Sequence, residues 1–535
     1  MKKILTVMLL LLCFAVQSTF ACIIFGVGRE ATADGSTMTS HTCDSTGDDL
    51  RLWLIPSMEE GSEREIVLDG RKGADFTNFP EVKDYGLRGT VMGSYTNDKD
   101  TYQYLHAMYS FANEKGVTMT ESTCGTTRAQ RTAFAAYEGI WDCYMLQDAA
   151  LENSATAFEA IKFMGEKVTE GGWYGSPETM TVADGTDLWV FEVYGGNQWV
   201  AFRVPDDEIF VCANRSRVDF WMEDCSTYLS NPGIKEFAIE SGLWDGTGDF
   251  RPCQVFGAGN YGFSCVGREW RAVCNLAGAQ YPELVANEDL AVTPTPDDDI
   301  PLTFKPDEKV TVAKIHEVCS DSYEGTKYDL RYSAYAGQFQ NVLGASYEYR
   351  PTGVPQCTFF EISNVKAWLP EEVRCLVWFG WGAPQTTYLT PVFASMTELI
   401  PSFYTGVRDY YDENSGWWNE TLVQTASMIN YADAIQVIKS IRDPLMATQY
   451  QVTAAVQNQA AKMVKNGNTE GAIDLLTTYA NGQAQMWFDI YGDLSTQLVA
   501  RYAVGRVAMK SATIPDKTWW NGVLKAAHDV PKTTN

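Results

Sequence analysis

The sequence is poor in the residues that most hydrolases and metalloproteins depend on. It has only four histidines in 535 residues, and they lie far apart, at His41, His106, His316 and His528. No CxxC, HExxH, G-x-S-x-G or Walker pattern occurs. Since histidine is the usual general base and a common zinc ligand, a zinc peptidase, a serine triad and a phosphate loop are all disfavoured. We expect no metal and no other cofactor.

Basic residues are also scarce. Lys and Arg total 41 against 68 Asp and Glu, which gives a formal net charge of −27. Such a surface repels nucleic acid and anionic lipid headgroups, so we expect neither as a partner. After the N-terminal segment, no apolar run reaches the roughly 18 residues of a membrane span. The composition, 45% hydrophobic and 13% aromatic, is typical of a globular protein. It is compatible with a homo-oligomer.

The N-terminal segment has the pattern of a secretory signal. Lys2-Lys3 precedes an apolar run from 4 to 16, and the Thr-Phe-Ala of 19–21 places small residues where signal peptidase cleaves. Cleavage after this segment divides the chain into a signal peptide, residues 1–21, and a mature protein that begins at Cys22. We therefore expect a secreted or periplasmic protein.

Cys22 is the first candidate catalytic residue, because a cysteine at a chain start carries both a thiol and a free α-amine. That amine has a reference pKa of about 7.7–8.0, so near neutral pH it can act as the base for its own thiol. Three other interpretations stay open: a lipid-modified cysteine, a disulfide partner, or an ordinary buried thiol if cleavage falls elsewhere. The lipid signal usually has Leu where this chain has Thr19.

The segment after Cys22 predicts a β-hairpin. Residues 22–27 are β-prone, and Asp34-Gly35 marks a tight turn. The returning strand would carry His41 and Asp44 back towards Cys22. Further antiparallel strands are predicted around 180–184, 188–194 and 198–204.

From about residue 396 the pattern becomes helical. One predicted helix face carries apolar residues at helical spacing: Ala434, Val437, Ile438, Ile441 and Leu445. We therefore predict a catalytic domain at 22–395 and a helical C-terminal region at 396–535 that packs on it.

Acyl transfer by Cys22 needs donors for the oxyanion, a group that holds the amine, and positive charge. Asp44 suits the amine, and Asn113 and Asn214 are uncharged donors near predicted strand ends. Arg268 or Arg271 could stabilise a thiolate or bind a substrate carboxylate. The ordinary alternatives stay open, since Asn and Asp favour turns and Arg is usually a surface charge.

Short motifs follow Cys22 in order along residues 22–420. They are Asp34-Gly-Ser-Thr37, Asn113-Glu-Lys-Gly-Val117, Glu121-Ser-Thr123, Tyr174-Gly-Ser176, Ala183-Asp184, Trp189-Val-Phe-Glu192, Arg203-Val-Pro-Asp206, Ala213-Asn214-Arg215, Tyr323-Glu-Gly-Thr326 and Gly382-Ala-Pro384. Each motif is weak alone, but the ordered set is specific. It resembles the C69 dipeptidase family, the dipeptidase A and secernin branch of the N-terminal nucleophile hydrolases.

The resemblance implies an α+β fold, a four-layer αββα sandwich of two antiparallel sheets, with a helical C-terminal region. It implies hydrolysis of dipeptides and short peptides without a metal, with Cys22 as nucleophile and its own α-amine as base. Asp44 matches the family's aspartate near that amine, and Asn113 and Asn214 match its two asparagines. Arg271 is the likelier match for its late arginine, which leaves Arg268 as a substrate-binding residue.

His41 departs from the family pattern, because many relatives carry Arg or Lys three residues before the aspartate. A histidine is cationic only below about pH 6.5 unless its pKa is shifted, so a less activated thiol or a different role, such as substrate binding, is expected. Two alternatives to a dipeptidase remain. One is an amidase of the penicillin V or bile-salt acylase type, and the other is a non-enzymatic, lipid-anchored binding protein.

Overall fold

The computed structural model describes residues 22–45, 49–68, 90–257, 262–291, 300–332, 336–344, 349–408, 410–507, 511–512, 519–522 and 524–525. The predicted signal peptide, residues 1–21, lies outside the described residues, as does His528.

The strands alternate with short loops in the N-terminal half and become rare after residue 393. They are β1 (Ile23–Val27), β2 (Thr37–Asp44), β3 (Trp53–Ile55), β4 (Glu63–Leu68), β5 (Thr90–Thr96), β6 (Tyr104–His106), β7 (Ala112–Asn113), β8 (Thr118–Thr123), β9 (Glu178–Ala183), β10 (Leu188–Gly195), β11 (Gln198–Arg203), β12 (Ile209–Cys212), β13 (Tyr228–Ser230), β14 (Thr303–Phe304), β15 (Cys357–Val365), β16 (Cys375–Trp381), β17 (Thr390–Phe393), β18 (Arg506–Val507) and β19 (Ser511–Ala512).

The longest helices lie in the C-terminal quarter. The α-helices of the described residues are α1 (Arg128–Phe134), α2 (Cys143–Asn153), α3 (Ala157–Gly171), α4 (Ile234–Glu240), α5 (Pro252–Val255), α6 (Phe263–Ala277), α7 (Pro282–Ala286), α8 (Val312–Cys319), α9 (Glu371–Arg374), α10 (Gly416–Ser427), α11 (Tyr431–Lys465) and α12 (Thr469–Tyr502).

Two antiparallel sheets form the centre of the described chain. The first has seven strands in the order β14-β12-β1-β2-β15-β16-β17, and the second has eight in the order β13-β11-β10-β9-β8-β7-β6-β3. Strands β1 and β2 lie against β8 and β9, where the Thr39 hydroxyl donates to the Thr118 hydroxyl at 3.1 Å. The buried apolar residues form two clusters, a large one that extends from Ile23 to Tyr502 and a smaller one that includes Ile24, Leu188 and Phe210.

Helices cover both sheets on their outer faces. α2 packs on β6–β8 and α3 on β9–β11, while α6 and α8 pack on β12 and β15 of the first sheet. The order helix, sheet, sheet, helix confirms the predicted four-layer α+β sandwich. Strands with one face on the other sheet and one face under helices are buried on both sides, which explains the near-continuous apolar sequences of β1, β12 and β16. Strands β2 and β8 are also buried but carry mostly polar side chains.

The predicted N-terminal hairpin is present, with Ile23 opposite Thr42 and Ile24 opposite His41. Its turn region contains Gly35 at φ 81°, a left-handed conformation that glycine adopts without a Cβ clash. This hairpin places the start of β1 beside the end of β2, at one edge of the interface between the sheets.

The predicted helical region is also present. α10 and α12 pack on β16 and β17, and Ala434 and Ile438 of α11 are fully buried. The division at residue 395 stays a prediction, since one apolar core runs from Ile23 to Tyr502. Among the described residues, none of the helices combines the length and the apolar character that a membrane crossing needs.

Candidate active site

The register of the hairpin brings Cys22 and His41 to the same face of the first sheet. His41 lies opposite Ile24, and Cys22 is two residues before Ile24, so their side chains point the same way. Diagonal neighbours on adjacent antiparallel strands are within reach of long side chains. The sequence pattern alone therefore predicts this part of the site.

Glu121 on β8 joins these two residues from the opposite sheet. The Cys22 thiol donates to Oε1 of Glu121 at 3.2 Å, and Nε2 of His41 lies 3.2 Å from the same oxygen. All three side chains are buried, each about 1% exposed or less. The imidazole ring is further held by edge contacts with Tyr109 and Phe359, at centroid distances of 5.6 and 5.4 Å.

Burial and the Glu121 charge both raise the pKa of Cys22, whereas they act in opposite directions on His41. Burial raises the pKa of the Cys22 thiol well above its usual range. Burial lowers the pKa of His41, but Cys22 and Glu121 outweigh it and raise the pKa of His41 to about 10. The surroundings of His41 therefore favour the cationic imidazole, and the role of this residue stays a prediction.

The backbone of Cys22 is fixed from the other side. Its carbonyl accepts from the Ser122 hydroxyl at 3.3 Å and from Nη1 of Arg268 at 3.0 Å. Arg268 also donates through Nε to the Ser264 carbonyl and through Nη2 to Oδ1 of Asn214 at 2.7 Å. This buried guanidinium thus clamps the peptide group that follows the Cys22 side chain.

Asn214 completes the clamp. Its backbone N–H donates to the Ser122 hydroxyl at 2.9 Å, and its side-chain amide donates to the Thr123 carbonyl at 2.8 Å. The residue has φ 60°, a left-handed backbone that Asn adopts more readily than most residues. Asn214 therefore lies in the wall of the site, one hydrogen bond from a group that contacts Cys22.

Asp44 lies next to this cluster at the end of β2. Its Oδ2 accepts from Nη2 of Arg350 at 2.5 Å, while its buried Oδ1 has no hydrogen-bond partner among the described residues. Burial raises the pKa of Asp44 to about 6, against the opposing charges of Arg350 and Arg268. The unpartnered oxygen is an acceptor available to a donor such as an amine.

Arg271 is not brought to Cys22. It lies one helical turn after Arg268 on α6, where Nε and Nη2 donate to the two carboxylate oxygens of Asp321, each at 2.7 Å. Nη2 also donates to the Glu324 carbonyl at 2.7 Å. The bidentate partner directs this guanidinium away from the centre, so the structure places Arg268 where the resemblance favoured Arg271.

Asn113 is not brought to Cys22 either. Its amide donates to the carbonyls of Leu151 and Ser154, both at 2.8 Å, at the end of α2. Its Oδ1 accepts from the backbone N–H groups of Lys115 and Val117, at 3.1 and 2.9 Å. All four hydrogen-bonding positions of this side chain are thus used to fix the turn between β7 and β8.

Sequence reasoning assigned no role to three residues that the structure places in the site: Glu121, Ser122 and Arg350. Glu121 and Ser122 stand in one of the quoted motifs, which is the only signal that could have found them. Glu121 is 99 residues from Cys22, and Arg350 is 306 residues from Asp44. Strand alternation shows which side chains share a face, but it does not show which residue of another sheet lies opposite.

Two groups of buried side chains in the described chain have donor atoms close enough to hold a metal ion. Cys22, His41 and Glu121 form one group, and Glu121, Cys143 and Glu178 form the other. In each group the donor atoms lie within 4.8 Å of one another. The two groups share Glu121.

A buried thiol thus lies next to an imidazole and a carboxylate, between the two antiparallel sheets of an αββα sandwich. Residues 21–443 match the sequence profile of peptidase family C69. The chain therefore belongs to this family, and it is a hydrolase.

Several curated proteins are similar to this chain over most of their length. A dipeptidase of Bifidobacterium longum is 22% identical over 474 residues, which cover 84% of this chain and 85% of the relative. A probable dipeptidase A of Streptococcus pyogenes is 23% identical over 500 residues, 91% of this chain and 98% of the relative. Dipeptidase A of Lactobacillus helveticus is 23% identical over 465 residues, 83% and 89% of the two chains.

Proposed function

We propose that the protein is an exported cysteine dipeptidase that becomes active when cleavage after Ala21 makes Cys22 the N-terminal residue. The observation that carries the proposal is the contact of the Cys22 thiol with Glu121 and the adjacent His41 imidazolium. The names of the relatives, which are dipeptidases, support a short peptide as substrate. The signal pattern of residues 1–21 supports export to the periplasm or beyond the cell.

The reaction begins with transfer of the thiol proton of Cys22 to its own α-amine. The sulfur then attacks the scissile carbonyl of the dipeptide, and the ammonium gives its proton to the departing amine. This step forms an acyl-enzyme and releases the C-terminal amino acid. Water, deprotonated by the same amine, then attacks the thioester and releases the N-terminal amino acid. The proton returns to the thiolate, and the centre is restored.

The surrounding residues supply charge and position. The His41 imidazolium stabilises the thiolate, and Glu121 keeps the imidazole cationic and oriented. The unpartnered Oδ1 of Asp44 accepts from the ammonium that forms when the amine takes its proton. Arg268 and Ser122 hold the carbonyl of Cys22, which fixes the direction of the sulfur. We assign the oxyanion contact to Asn214, whose amide exchanges its bond to the Thr123 carbonyl for the developing charge.

The first experiment determines the natural N-terminus of the exported protein by intact mass and N-terminal sequencing. We expect an unmodified chain that starts at Cys22. Added acyl mass would block the amine and would favour the lipid-anchored alternative. A different first residue would remove the base from the mechanism.

The second experiment measures hydrolysis of a dipeptide panel and of acylated amines by the mature protein. Cys22→Ala is expected to abolish hydrolysis and Cys22→Ser to leave little, because a hydroxyl is far less acidic than a thiol. Cys375→Ser, a buried thiol on β16, is the matched control. A version with extra residues before Cys22 should be inactive until trimmed. Preference for the acylated amines would favour the amidase alternative.

A further inference from the structure

The cluster of Cys22, His41 and Glu121 has a second chemical capacity besides catalysis. Its three donor atoms are a sulfur, a ring nitrogen and a carboxylate oxygen, which is a set of ligands that zinc prefers in proteins. Nε2 of His41 is buried and, among the described residues, has no partner with hydrogen-bond geometry. Its neighbour is Oε1 of Glu121 at 3.2 Å, and once Nε2 loses its proton the nitrogen and this oxygen can bind the same cation.

The spacing of the donors fits one tetrahedral cation. Zn²⁺ bonds of about 2.0–2.3 Å place neighbouring ligand atoms of a tetrahedron about 3.3–3.6 Å apart. Here the Cys22 sulfur and the His41 nitrogen each lie 3.2 Å from the same oxygen of Glu121. A cation therefore needs only small shifts of three side chains, which come from two sheets whose strands are already packed.

The carboxylate and the ring are also held in place from outside the cluster. The Thr123 hydroxyl donates to Oε2 of Glu121 at 3.4 Å, which leaves Oε1 directed at Cys22 and His41. Tyr109 and Phe359 hold the imidazole by ring contacts at 5.6 and 5.4 Å. Outer contacts of this kind orient the ligands of a metal site.

We propose that Cys22, His41 and Glu121 bind a thiophilic divalent cation of the Zn²⁺ class, and that the bound cation holds the peptidase inactive. Binding releases the thiol proton of Cys22 and the Nε2 proton of His41 to solvent, and no electron moves. The sulfur lone pair that attacks the substrate is then shared with the cation. The inhibitory effect rests on the proposed function, whereas binding itself does not.

The mature chain offers a fourth ligand. Once Cys22 is the N-terminal residue, its α-amine and its thiolate can close a five-membered chelate ring around the cation. This fourth contact also rests on the proposed cleavage. The signal-bearing precursor, whose Cys22 nitrogen is an amide, should bind the cation more weakly than the mature protein.

The test uses the mature protein with Co²⁺ as a spectroscopic probe and Zn²⁺ as competitor. We expect each chain to bind one Co²⁺, which is seen as a sulfur-to-cobalt charge-transfer band. Zn²⁺ should displace the Co²⁺ and remove this band, and Cys22→Ser should not show it. His41→Gln and Glu121→Gln should each weaken binding by more than the roughly 10–100-fold that outer residues of metal sites contribute. Cys143→Ser is the matched control, because Cys143 belongs to the neighbouring donor group.

The outcomes separate the alternatives. Unchanged affinity in His41→Gln and Glu121→Gln would overturn the site, and loss in Cys143→Ser alone would assign the cation to the neighbouring group. If the variants do not fold, the test is whether Zn²⁺ protects wild-type Cys22 from alkylation by iodoacetamide, with the modified residue located by mass spectrometry. Absence of protection rejects the site. Co²⁺ binding by a protein that hydrolyses no dipeptide when it is free of cations supports the site and rejects the proposed function. Hydrolysis without a Co²⁺ band does the reverse.

Discussion

His41 occupies the position where, by the family resemblance, many relatives carry Arg or Lys. An isolated imidazole would be a poor substitute, since it loses its charge near neutral pH. In the structure, Cys22 and Glu121 together raise the pKa of His41 to about 10. The Glu121 carboxylate lies 3.2 Å from Nε2 of the imidazole. The imidazole places a positive charge beside the thiol and lowers the pKa of Cys22, while the Glu121 carboxylate raises that pKa, so the pair as a whole carries no net charge.

Replacing His41 tests this role directly. His41→Gln keeps the size of the side chain but removes the charge, and we expect kcat/KM for a dipeptide to fall about 100-fold, the range seen when one electrostatic contact to a reacting group is lost. His41→Arg should recover most of the activity. Steady-state kinetics of the mature variants give the values. Equal activity of His41→Gln and the wild type would contradict the role.

The two arginines of α6 make a second comparison at this scale. Arg268→Lys loses the fork that joins the Cys22 carbonyl to Asn214, so we expect kcat to fall more than KM changes. Arg271→Lys loses part of an ion pair with Asp321 outside the cluster. The expected result is a larger loss of kcat in Arg268→Lys. A larger loss in Arg271→Lys would restore the assignment that the resemblance favours.

At the scale of elements, the contact between α10 and the loop after β16 is unusually close. Gly382 follows β16 with φ 76°, and a Cβ added to it would lie 1.8 Å from Oε2 of Glu420 on α10. Glu420 is buried, and its Oε1 accepts from the Thr386 hydroxyl at 2.9 Å. Within the described chain its Oε2 has no hydrogen-bond partner. A glycine is therefore required where a buried acid approaches the backbone.

Glu420 makes the stability of this contact depend on pH. Burial raises the pKa of its carboxyl from 4.5 to about 8, so between these values the folded state binds more protons than the unfolded state. Stability is therefore highest below about pH 4.5 for this group and falls as pH rises towards 8, by at most about 1.4 kcal/mol per pH unit. Glu420→Gln should flatten this dependence and raise the free energy of unfolding at alkaline pH.

Urea unfolding of the wild type and of Glu420→Gln at several pH values measures the effect. Glu236→Gln is the control, because Glu236 on α4 is exposed and its replacement changes the net charge without changing a buried group. Parallel pH profiles for the wild type and Glu420→Gln would show that the carboxyl is not the source.

At the scale of the whole molecule, the helical region and the catalytic sandwich share a core. Trp487 of α12 stacks on Tyr388, with ring centroids 4.9 Å apart and an interplanar angle of 9°. Its indole N–H donates to Oε1 of Gln449 on α11 at 2.7 Å. Both aromatic rings are buried, so the region after residue 396 stabilises the sheet that carries Cys22.

Trp487→Ala tests whether the two parts unfold together. Removing a buried tryptophan costs about 3–5 kcal/mol, and we expect the denaturant midpoint to fall accordingly. Because the core is shared, circular dichroism and loss of hydrolysis should follow one transition in both the wild type and the variant. Activity that survives the helical transition would show that residues 22–395 are stable alone.

The predicted hairpin illustrates how far local patterns reach. A β-prone run and an Asp-Gly turn suffice to bring the strand with His41 and Asp44 back to Cys22, and strand alternation places His41 on the same face as Cys22. These three sequence patterns depend only on short-range geometry. The helical spacing of 434–445 predicted α11 for the same reason. Asn113 shows the limit: its motif suggested a catalytic amide, yet the turn that Asn favours uses its whole hydrogen-bonding capacity.

From periodicity and turn residues, the sequence by itself determined the β-rich N-terminal part, the helical C-terminal region and the position of the candidate thiol. Its ordered motifs indicated the family, and the sandwich fold was what that resemblance implied. Only the tertiary structure decided that Glu121 faces His41, that Arg268 rather than Arg271 clamps Cys22, and that Asp44 meets Arg350. The reason is that these pairs join separate strands, helices and loops. Their contacts depend on how the sheets and helices are packed together, and their charge states depend on the burial which that packing creates.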